Sequence, residues 1–304
     1  GMDMEGMSMD VMRGGREHTG LDGGPAARGS LARLANDLER GALDPGDVPD
    51  YPLYLINGRP PEDPFQIVIG KGERMRLRLI NPSADTIYCL FIEDHELEIV
   101  SADGNDVVPR RTDAILIGMG ERYDALLDGR GGGASRVVAM PLGKQGVAAG
   151  YLRYRGSTGA APPMNAPIEM PVRVASYGDL QPLDPASSSA GDPRVIRLDL
   201  GFDDPYSWSI GGQLFDGSDP IRVARGETVR FTMKNRTPMP HPMHLHGHSF
   251  TVGGPGGPLK DTALAIPRRE LTLDWVADNP GVWAYHCHNV YHQESGMMRR
   301  VEVV

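Results

Sequence analysis

The feature that most constrains the fold of this chain is an internal repeat. The segment LYLINGRPP…IVIGKGERMRLRLIN resembles the segment WSIGGQLF…IRVARGETVRFTMKN, which lies 154 positions further along. Five identical pairs mark the repeat: Ile56 and Ile210, Gly58 and Gly212, Gly72 and Gly226, Glu73 and Glu227, and Asn81 and Asn235. Because the register holds without a gap over this distance, we expect two copies of one domain rather than a solenoid of short units. A length of 304 residues agrees with two domains.

From Tyr51 onward the sequence has the pattern of β-strands. Short runs rich in Val, Ile, Leu and Tyr are broken by Gly, Pro and Asp turns. Residues 75–81 and 229–235 alternate with period two, which predicts strands with one buried face. No sustained helical periodicity interrupts these strands, so the sequence predicts an all-β sandwich fold.

The repeat and the local composition together predict four regions. They are a Met-rich N-terminal linker over residues 1–50, a first domain over 51–157, an interdomain linker over 158–190 and a second domain over 191–304. Five of the 15 methionines fall between Met2 and Met12. They are either thioether ligands for Cu(I) or part of a disordered tail. Within the first linker, residues 29–40 predict one short helix with Ser30 as its N-cap.

Composition excludes several classes of protein. No apolar run approaches the roughly 18 residues of a membrane span. A net charge of -9 argues against nucleic acid as a partner, because an anionic surface repels phosphate. No signal peptide is visible. Two cysteines cannot form a disulfide framework. Cys89 lies in the apolar run TIYCLFI and is predicted to be a small buried hydrophobe.

The chemistry of the chain is concentrated near its C-terminus. Seven of the nine histidines lie in HPMHLHGH (241–248) and HCHNVYHQESGMM (286–298), which predicts two sets of metal ligands. On an extended backbone, successive side chains point to opposite faces. His286 and His288 therefore project to one side and Cys287 to the other. One tripeptide is thus predicted to serve two separate sites.

On the Cys287 side the spacing matches a blue-copper site, in which two histidines and a cysteine bind the metal with a weak axial Met. His292 and Met297 follow Cys287 at intervals of five residues, and His241 supplies the second imidazole. On the other side we expect a second copper centre with imidazoles from four residues: His244, His246, His286 and His288. The backbone around Cys287 would give an electron a short covalent route between the two centres.

A structural zinc site is the alternative, but zinc requires neither an axial Met nor a central Cys whose neighbours face away. His248, which follows the ligands in HGHSF, is interpreted as a structural residue near the metal.

The motifs HPMHLHGH and HCHNVYHQESGM resemble the two C-terminal copper motifs of multicopper oxidases, the laccase and copper-resistance family. The resemblance covers residues 51–304 and implies two tandem cupredoxin-like Greek-key β-sandwich domains, the second and third of a three-domain enzyme. It implies the following copper ligands: His241, Cys287, His292 and Met297 for type 1 copper, His244 for type 2, and His246, His286 and His288 for type 3. It also implies that Cys287, His286 and His288 carry electrons during catalysis.

The same resemblance implies one-electron oxidation of a small substrate, a phenol or Cu(I), coupled to reduction of O₂ to water. It further implies a periplasmic or secreted protein, for which an oligomer is possible.

The chain departs from the family pattern in its histidine count. A complete trinuclear cluster takes eight histidines in this family, whereas this chain has only His18 and His95 outside the two motifs. The positions 154 residues before His241, His244 and His246 hold Ile87, Leu90 and Ile92, so we expect no copper in the first domain.

The missing ligands would come from a first cupredoxin domain, in cis or in trans, and the chain alone is expected to be inactive. The alternative is a non-catalytic cupredoxin-type protein that transfers electrons or binds copper. A nitrite-reductase-like trimer is disfavoured, because its type 1 site lies in the first domain.

Overall fold

A computed structural model describes residues 30–171, 173–184, 192–204 and 206–304. The Met-rich segment between Met2 and Met12, and the histidine at position 18, lie outside the described residues. Within the described part, strands predominate over helices, and the prediction of an all-β fold is confirmed.

The residues described up to position 184 form one α-helix, ten strands and a short 3-10 helix at Tyr177–Asp179. Their bounds are α1 (Ser30–Glu39), β1 (Phe65–Ile69), β2 (Arg74–Ile80), β3 (Tyr88–Ile92), β4 (Leu97–Ala102), β5 (Asn105–Thr112), β6 (Ala114–Ile117), β7 (Arg122–Asp128), β8 (Ala134–Pro141), β9 (Ala148–Tyr154) and β10 (Val174–Ala175).

The residues described from position 192 onward form twelve strands and one short helix. Their bounds are β11 (Arg194–Arg197), β12 (Leu200–Phe202), β13 (Trp208–Ile210), β14 (Ile221–Val223), β15 (Thr228–Lys234), β16 (His241–Leu245), β17 (Phe250–Val252), β18 (Leu259–Lys260), β19 (Thr262–Ala265), β20 (Glu270–Val276), β21 (Gly281–Cys287), α2 (Val290–Glu294) and β22 (Met298–Val303).

Strands β1–β10 form a first unit with two sheets, in the orders β1-β9-β8-β3-β6-β10 and β2-β7-β4-β5. Apolar side chains from both sheets meet in one buried cluster that includes Ile92, Ile99, Leu127 and Leu152. The two sheets therefore enclose a common core, as expected for a β-sandwich. Residues 158–190, predicted as an interdomain linker, contribute β10, which pairs with β6. A strand of two residues is too short to leave a period-two signal in the sequence.

Strands β11–β22 form a second unit with sheets in the orders β14-β22-β21-β16-β19 and β11-β15-β20-β17-β18, beside a β12-β13 ribbon. Its core also draws on both sheets, with Phe231, Leu245, Leu273 and Tyr285 fully buried. The edge strand β14 pairs with β22 in parallel, as β1 does with β9 in the first unit. The two units thus share an edge topology, which agrees with the sequence repeat.

A buried asparagine turn is the same in both units. Asn81 donates from Nδ2 to the carbonyl oxygens of Thr86 and Ile117, and its Oδ1 accepts from the backbone and hydroxyl of Ser83. Asn235 makes the equivalent four hydrogen bonds, with Thr237 in the place of Ser83. Because each amide satisfies several buried backbone groups, we infer that the asparagine fixes the chain direction after β2 and β15.

Helix α1 confirms the predicted helix over residues 29–40 and is part of the protein core. Leu31, Leu34, Ala35 and Leu38 are almost completely buried in the same apolar cluster as Cys89, which is itself buried as predicted. The chain continues toward the second unit, where Asp44 N donates to the Pro238 carbonyl oxygen. The described part of the predicted N-terminal linker, residues 30–50, therefore packs against the two units. None of the helices described is long and apolar enough to cross a bilayer.

Candidate metal centres

The first candidate centre brings together three of the predicted type 1 ligands. The Nδ1 atoms of His241 and His292 are 2.9 Å apart, and the Sγ of Cys287 lies 3.6 Å and 3.5 Å from them. All three residues are fully buried. Two imidazole nitrogens and a sulfur at these separations can bind one ion at about 2.0–2.3 Å, the bond lengths of a first-row metal. The donor set therefore fits copper, for which a His₂Cys arrangement is typical.

Met297, the predicted axial ligand, lies in the connection between helix α2 and strand β22. It is fully buried, its backbone N donates to the His292 carbonyl, and its carbonyl accepts from Cys287 N. Burial raises the pKa of the Cys287 thiol, so the sulfur carries a proton until a metal displaces it.

The outer nitrogens of both imidazoles also have neighbours. His241 Nε2 lies 2.7 Å from the Oγ1 of Thr237, and His292 Nε2 lies 2.9 Å from the Oδ2 of Asp47. The ring of Trp208 lies over His292, with 3.9 Å between centroids. Because partners of this kind orient metal-binding rings, both histidines are held with Nδ1 facing the centre. Sequence reasoning missed Asp47 and Trp208, which carry no local signal.

Asp47 belongs to a buried polar network centred on Asp85. The Asp85 carboxylate accepts from Lys144 Nζ at 2.9 Å, from Asn289 Nδ2 at 2.5 Å and from the backbone of 47–48. Both Lys144 and Asp85 have fully buried side chains. Burial opposes ionisation of Asp47, but His292 and Asn289 outweigh it and lower the pKa of Asp47. The network joins the first unit to helix α2, which carries His292.

The second candidate centre lies on the opposite side of the same strand. β16 and β21 pair with His244 opposite His286, and the ligand atoms of His244, His246 and His286 all lie within 4.8 Å of one another. His246 Nε2 and His286 Nε2 are 3.0 Å apart. The ring of His288 is 5.8 Å from that of His286. Within the tripeptide 286–288, the sulfur and the two imidazoles thus address different sites.

Backbone carbonyls orient two rings of this second set. His244 Nδ1 lies 2.8 Å from the Asp261 carbonyl oxygen, and His286 Nδ1 lies 2.8 Å from the Cys287 carbonyl oxygen. Since a carbonyl accepts, each Nδ1 carries the proton and each Nε2 is free to bind a metal. Burial and the neighbouring histidines lower the pKa of His286 to about 4. Burial also lowers the pKa of His246 and His288, so these rings are neutral near pH 7, as ligands must be.

Acidification should therefore destabilise the metal-free protein. Unfolded His286 takes up a proton as the pH falls below about 6.5, whereas the folded residue resists protonation until about pH 4. Stability is consequently lost as the pH falls between these values, by on the order of 3 kcal/mol from this residue. Urea unfolding at pH 7 and pH 4.5 measures the loss. His286→Gln should lose less stability over the same interval, and an equal loss in both proteins would contradict the assignment.

The ring of His288 rests on Gly120 of the first unit. Gly120 has φ +81°, and a Cβ there would lie 2.4 Å from the His288 Cδ2. Gly120→Ala should destabilise the protein by about 1–3 kcal/mol through its backbone alone. It should also displace His288 and weaken Cu(II) binding by the second set. Gly72→Ala is the matched control, because Gly72 has the same φ with no atom within 4 Å. Unfolding measurements and Cu(II) titration of both variants separate the backbone effect on stability from the displacement of His288. Equal Cu(II) binding by the two variants would show that Gly120 does not position the His288 ring.

The remaining positions considered in the sequence analysis, His248 and the first-unit counterparts of the histidines, lie outside the two candidate centres. His248 packs against Trp275 and Trp283, and its Nδ1 lies 3.2 Å from the His246 carbonyl oxygen, as expected for a structural residue. In the first unit, Ile87 and Ile92 are buried and Leu90 is half-buried, where the second unit has ligands. Among the described residues, no group of metal-binding side chains lies in the first unit.

Two family models, both described as multicopper oxidase, match residues 32–157 and 189–304. Multicopper oxidase MmcO of Mycobacterium tuberculosis is 37% identical over 270 residues, covering 86% of this chain and 52% of the relative. Copper resistance protein A of Escherichia coli is 26% identical, covering 91% of this chain and 64% of the relative. This chain therefore spans about half to just under two thirds of the length of these curated relatives.

Solved structures show the same fold. The laccase from Botrytis aclada superimposes with a TM-score of 0.67 at 24% identity, over 79% of this chain and 53% of that chain. The multicopper oxidase from Pseudomonas thermotolerans superimposes with a TM-score of 0.63 at 24% identity, over 83% of this chain and 59% of that chain. The cupredoxin fold expected for both units is thereby confirmed.

Proposed function

The chain belongs to the multicopper oxidase family, and from that premise we propose that it forms the electron-accepting part of an oxidase that reduces O₂ to water. The observation that carries this proposal is the division of side chains around Cys287. Its sulfur faces His241 and His292, whereas His286 lies among the other imidazoles. The ring of His288 lies on that side as well, 6.0 Å from the ring of His244. An isolated electron-transfer site or a zinc site would not require this second set.

Within the proposal, each ligand has one role. His241, Cys287, His292 and Met297 hold type 1 copper, His244 holds type 2 copper, and His246, His286 and His288 hold the type 3 pair. Bound copper supplies reversible one-electron transfer. The protein contributes a buried site, orients each imidazole through its second nitrogen and links both sites through the peptide bonds on either side of Cys287.

The reducing substrate is proposed to be a phenol or Cu(I), in a periplasmic or secreted setting like that expected for the copper-resistance family. It would deliver its electron near His292, where Trp208 and the exposed Phe202 form a stacked aromatic pair with 4.9 Å between centroids. The four further histidines of the trinuclear cluster would come from a first cupredoxin domain, in cis or in trans, since only His18 and His95 lie outside the two motifs of this sequence.

The histidine count also supports a second candidate, a non-catalytic cupredoxin-type protein that transfers electrons or binds copper. Copper loading, followed by measurement of colour, of reduction by a phenol or Cu(I), and of O₂ uptake, separates the two. We expect a blue protein that accepts electrons, with O₂ uptake only after addition of a separately produced domain with two HxH motifs.

Absence of uptake with that domain, despite normal reduction of the blue site, would favour the non-catalytic candidate. Uptake by this chain alone would show that our count of missing ligands is wrong.

A further inference from the structure

Three consecutive residues of the second unit are held by side chains of the first unit. Asp103 Oδ2 accepts from the backbone N of Asp261 and Thr262 and lies 2.9 Å from the Nζ of Lys260. Arg122 donates to both carboxylate oxygens of Asp261, at 2.6 Å and 2.7 Å. A bidentate pair of this kind fixes orientation as well as distance. Segment 260–262 is therefore positioned by the first unit.

The same segment orients the ligand His244. The Asp261 carbonyl oxygen accepts from His244 Nδ1 at 2.8 Å and from Leu245 N at 3.1 Å. The hydroxyl of Thr262 donates to the Asp261 carboxylate and lies 3.1 Å from His244 Nδ1. Any rotation of the Asp261 side chain thus changes the polar surroundings of the His244 ring.

We propose that Arg122, in the copper-free first unit, is a positioning residue that holds the metal ligand His244 in its binding tautomer through Asp261. The inference rests on the proposed function of the second set of histidines. It gives the first unit a role in the metal centre even though that unit lacks ligands of its own.

Other contacts also hold the two units together. The effect of replacing Arg122 on His244 can therefore be measured separately from the stability of the interface between the units. Lys260 is fully buried and lies 3.2 Å from Glu121 Oε1, and its ammonium lies over the ring of Tyr123. Tyr177 donates from its hydroxyl to Glu121 and accepts from Leu264 N. The Arg122 side chain takes part in none of these four contacts.

The test uses the whole chain, Cu(II) ions and two readouts. Arg122→Gln should lower the Cu(II) affinity of the His244 set about 10- to 100-fold, the usual effect of removing a group that orients a ligand. Chelator competition measures this affinity while the blue colour reports the other centre, which should not change. Nitrogen NMR of the metal-free chain should show the proton of His244 on Nδ1 in the wild type and divided between both nitrogens in the variant.

Arg230→Gln is the matched control. Arg230 makes a bidentate pair with Asp274 at 2.7 Å and 2.7 Å, and its exposed fraction of 31% is close to the 34% of Arg122, but Asp274 carries no histidine contact. The control should keep both the affinity and the tautomer. If Arg122→Gln fails to fold, Arg122→Lys serves instead, since a lysine keeps the charge but not the bidentate geometry and should give an intermediate effect.

Equal affinity and equal tautomer in the Arg122 and Arg230 variants would overturn the inference. A wild-type chain that binds no Cu(II) at the His244 set, but whose tautomer still responds to Arg122, would count against the proposed function and in favour of the positioning role.

Discussion

Cys287→Ser should abolish the blue colour of the copper-loaded chain and leave the fold intact. The colour of a blue-copper site depends on a thiolate, a soft ligand that a hydroxyl cannot replace. Serine has nearly the shape of cysteine, so the surrounding side chains can keep their positions. The penalty for burying the hydroxyl should be no more than about 1–3 kcal/mol, because the Nδ1 atoms of His241 and His292 are close to this position. Visible absorption after copper loading, with circular dichroism of the same sample, measures both effects.

The chain has a matched control in its other cysteine. Cys89 is also fully buried, in strand β3 of the copper-free unit, and Cys89→Ser introduces the same hydroxyl. That variant should lose comparable stability and keep its colour. Colour that persists in Cys287→Ser would mean that the sulfur is not a ligand, and loss of colour in both variants would point to general damage.

Asp85→Ala should cause the largest loss of stability, about 3–5 kcal/mol, because it leaves the buried ammonium of Lys144 without its carboxylate partner. The same change removes the acceptor that holds Asn289 Nδ2, and Asn289 caps the helix that carries His292. Copper binding at the blue site should therefore weaken as well. Urea unfolding and copper titration test the two consequences.

Two further variants test whether the unpaired charge of Lys144 causes the loss of stability. Asp85→Ala combined with Lys144→Met should recover part of the stability, because no unpaired charge then remains. Asp63→Ala removes the carboxylate of an exposed pair with Arg59 and should change stability by about 1 kcal/mol or less. If Asp85→Ala lost no more stability than Asp63→Ala, the buried pair of Asp85 and Lys144 would not be a major source of stability.

The side chains that meet at the two candidate centres could be predicted from the sequence because their signal is local. Alternation on one strand separates Cys287 from His286 and His288, and a repeat with constant spacing identifies the unit without ligands. β2 and β15 followed from period-two alternation in the same way. The helix α1 was predicted from its cap and composition, but its packing against the core was not.

The residues that orient the ligands could not be predicted, because each acts across a long stretch of chain. Asp47 reaches His292 from the segment before the first unit, and Arg122 reaches Asp261 from the other unit. An acidic or basic residue in a strand or loop shows no pattern that reveals such a partner. Thr237 is an exception, because the repeat offers a signal that could have identified it: Thr237 follows Asn235 at the same interval as Ser83 follows Asn81.

The asparagine turn shared by the two units has an evolutionary consequence. The hydrogen bonds around Asn81 are intact in a copy where isoleucine occupies the place of the proposed ligand His241, so the turn does not depend on a metal-binding residue at this position. A duplicated ancestor could lose its cofactor from one copy without losing that copy's architecture. A copper site could accordingly be rebuilt in the first unit, beginning with Ile87→His, because Ile87 follows Ser83 at the same interval as His241 follows Thr237.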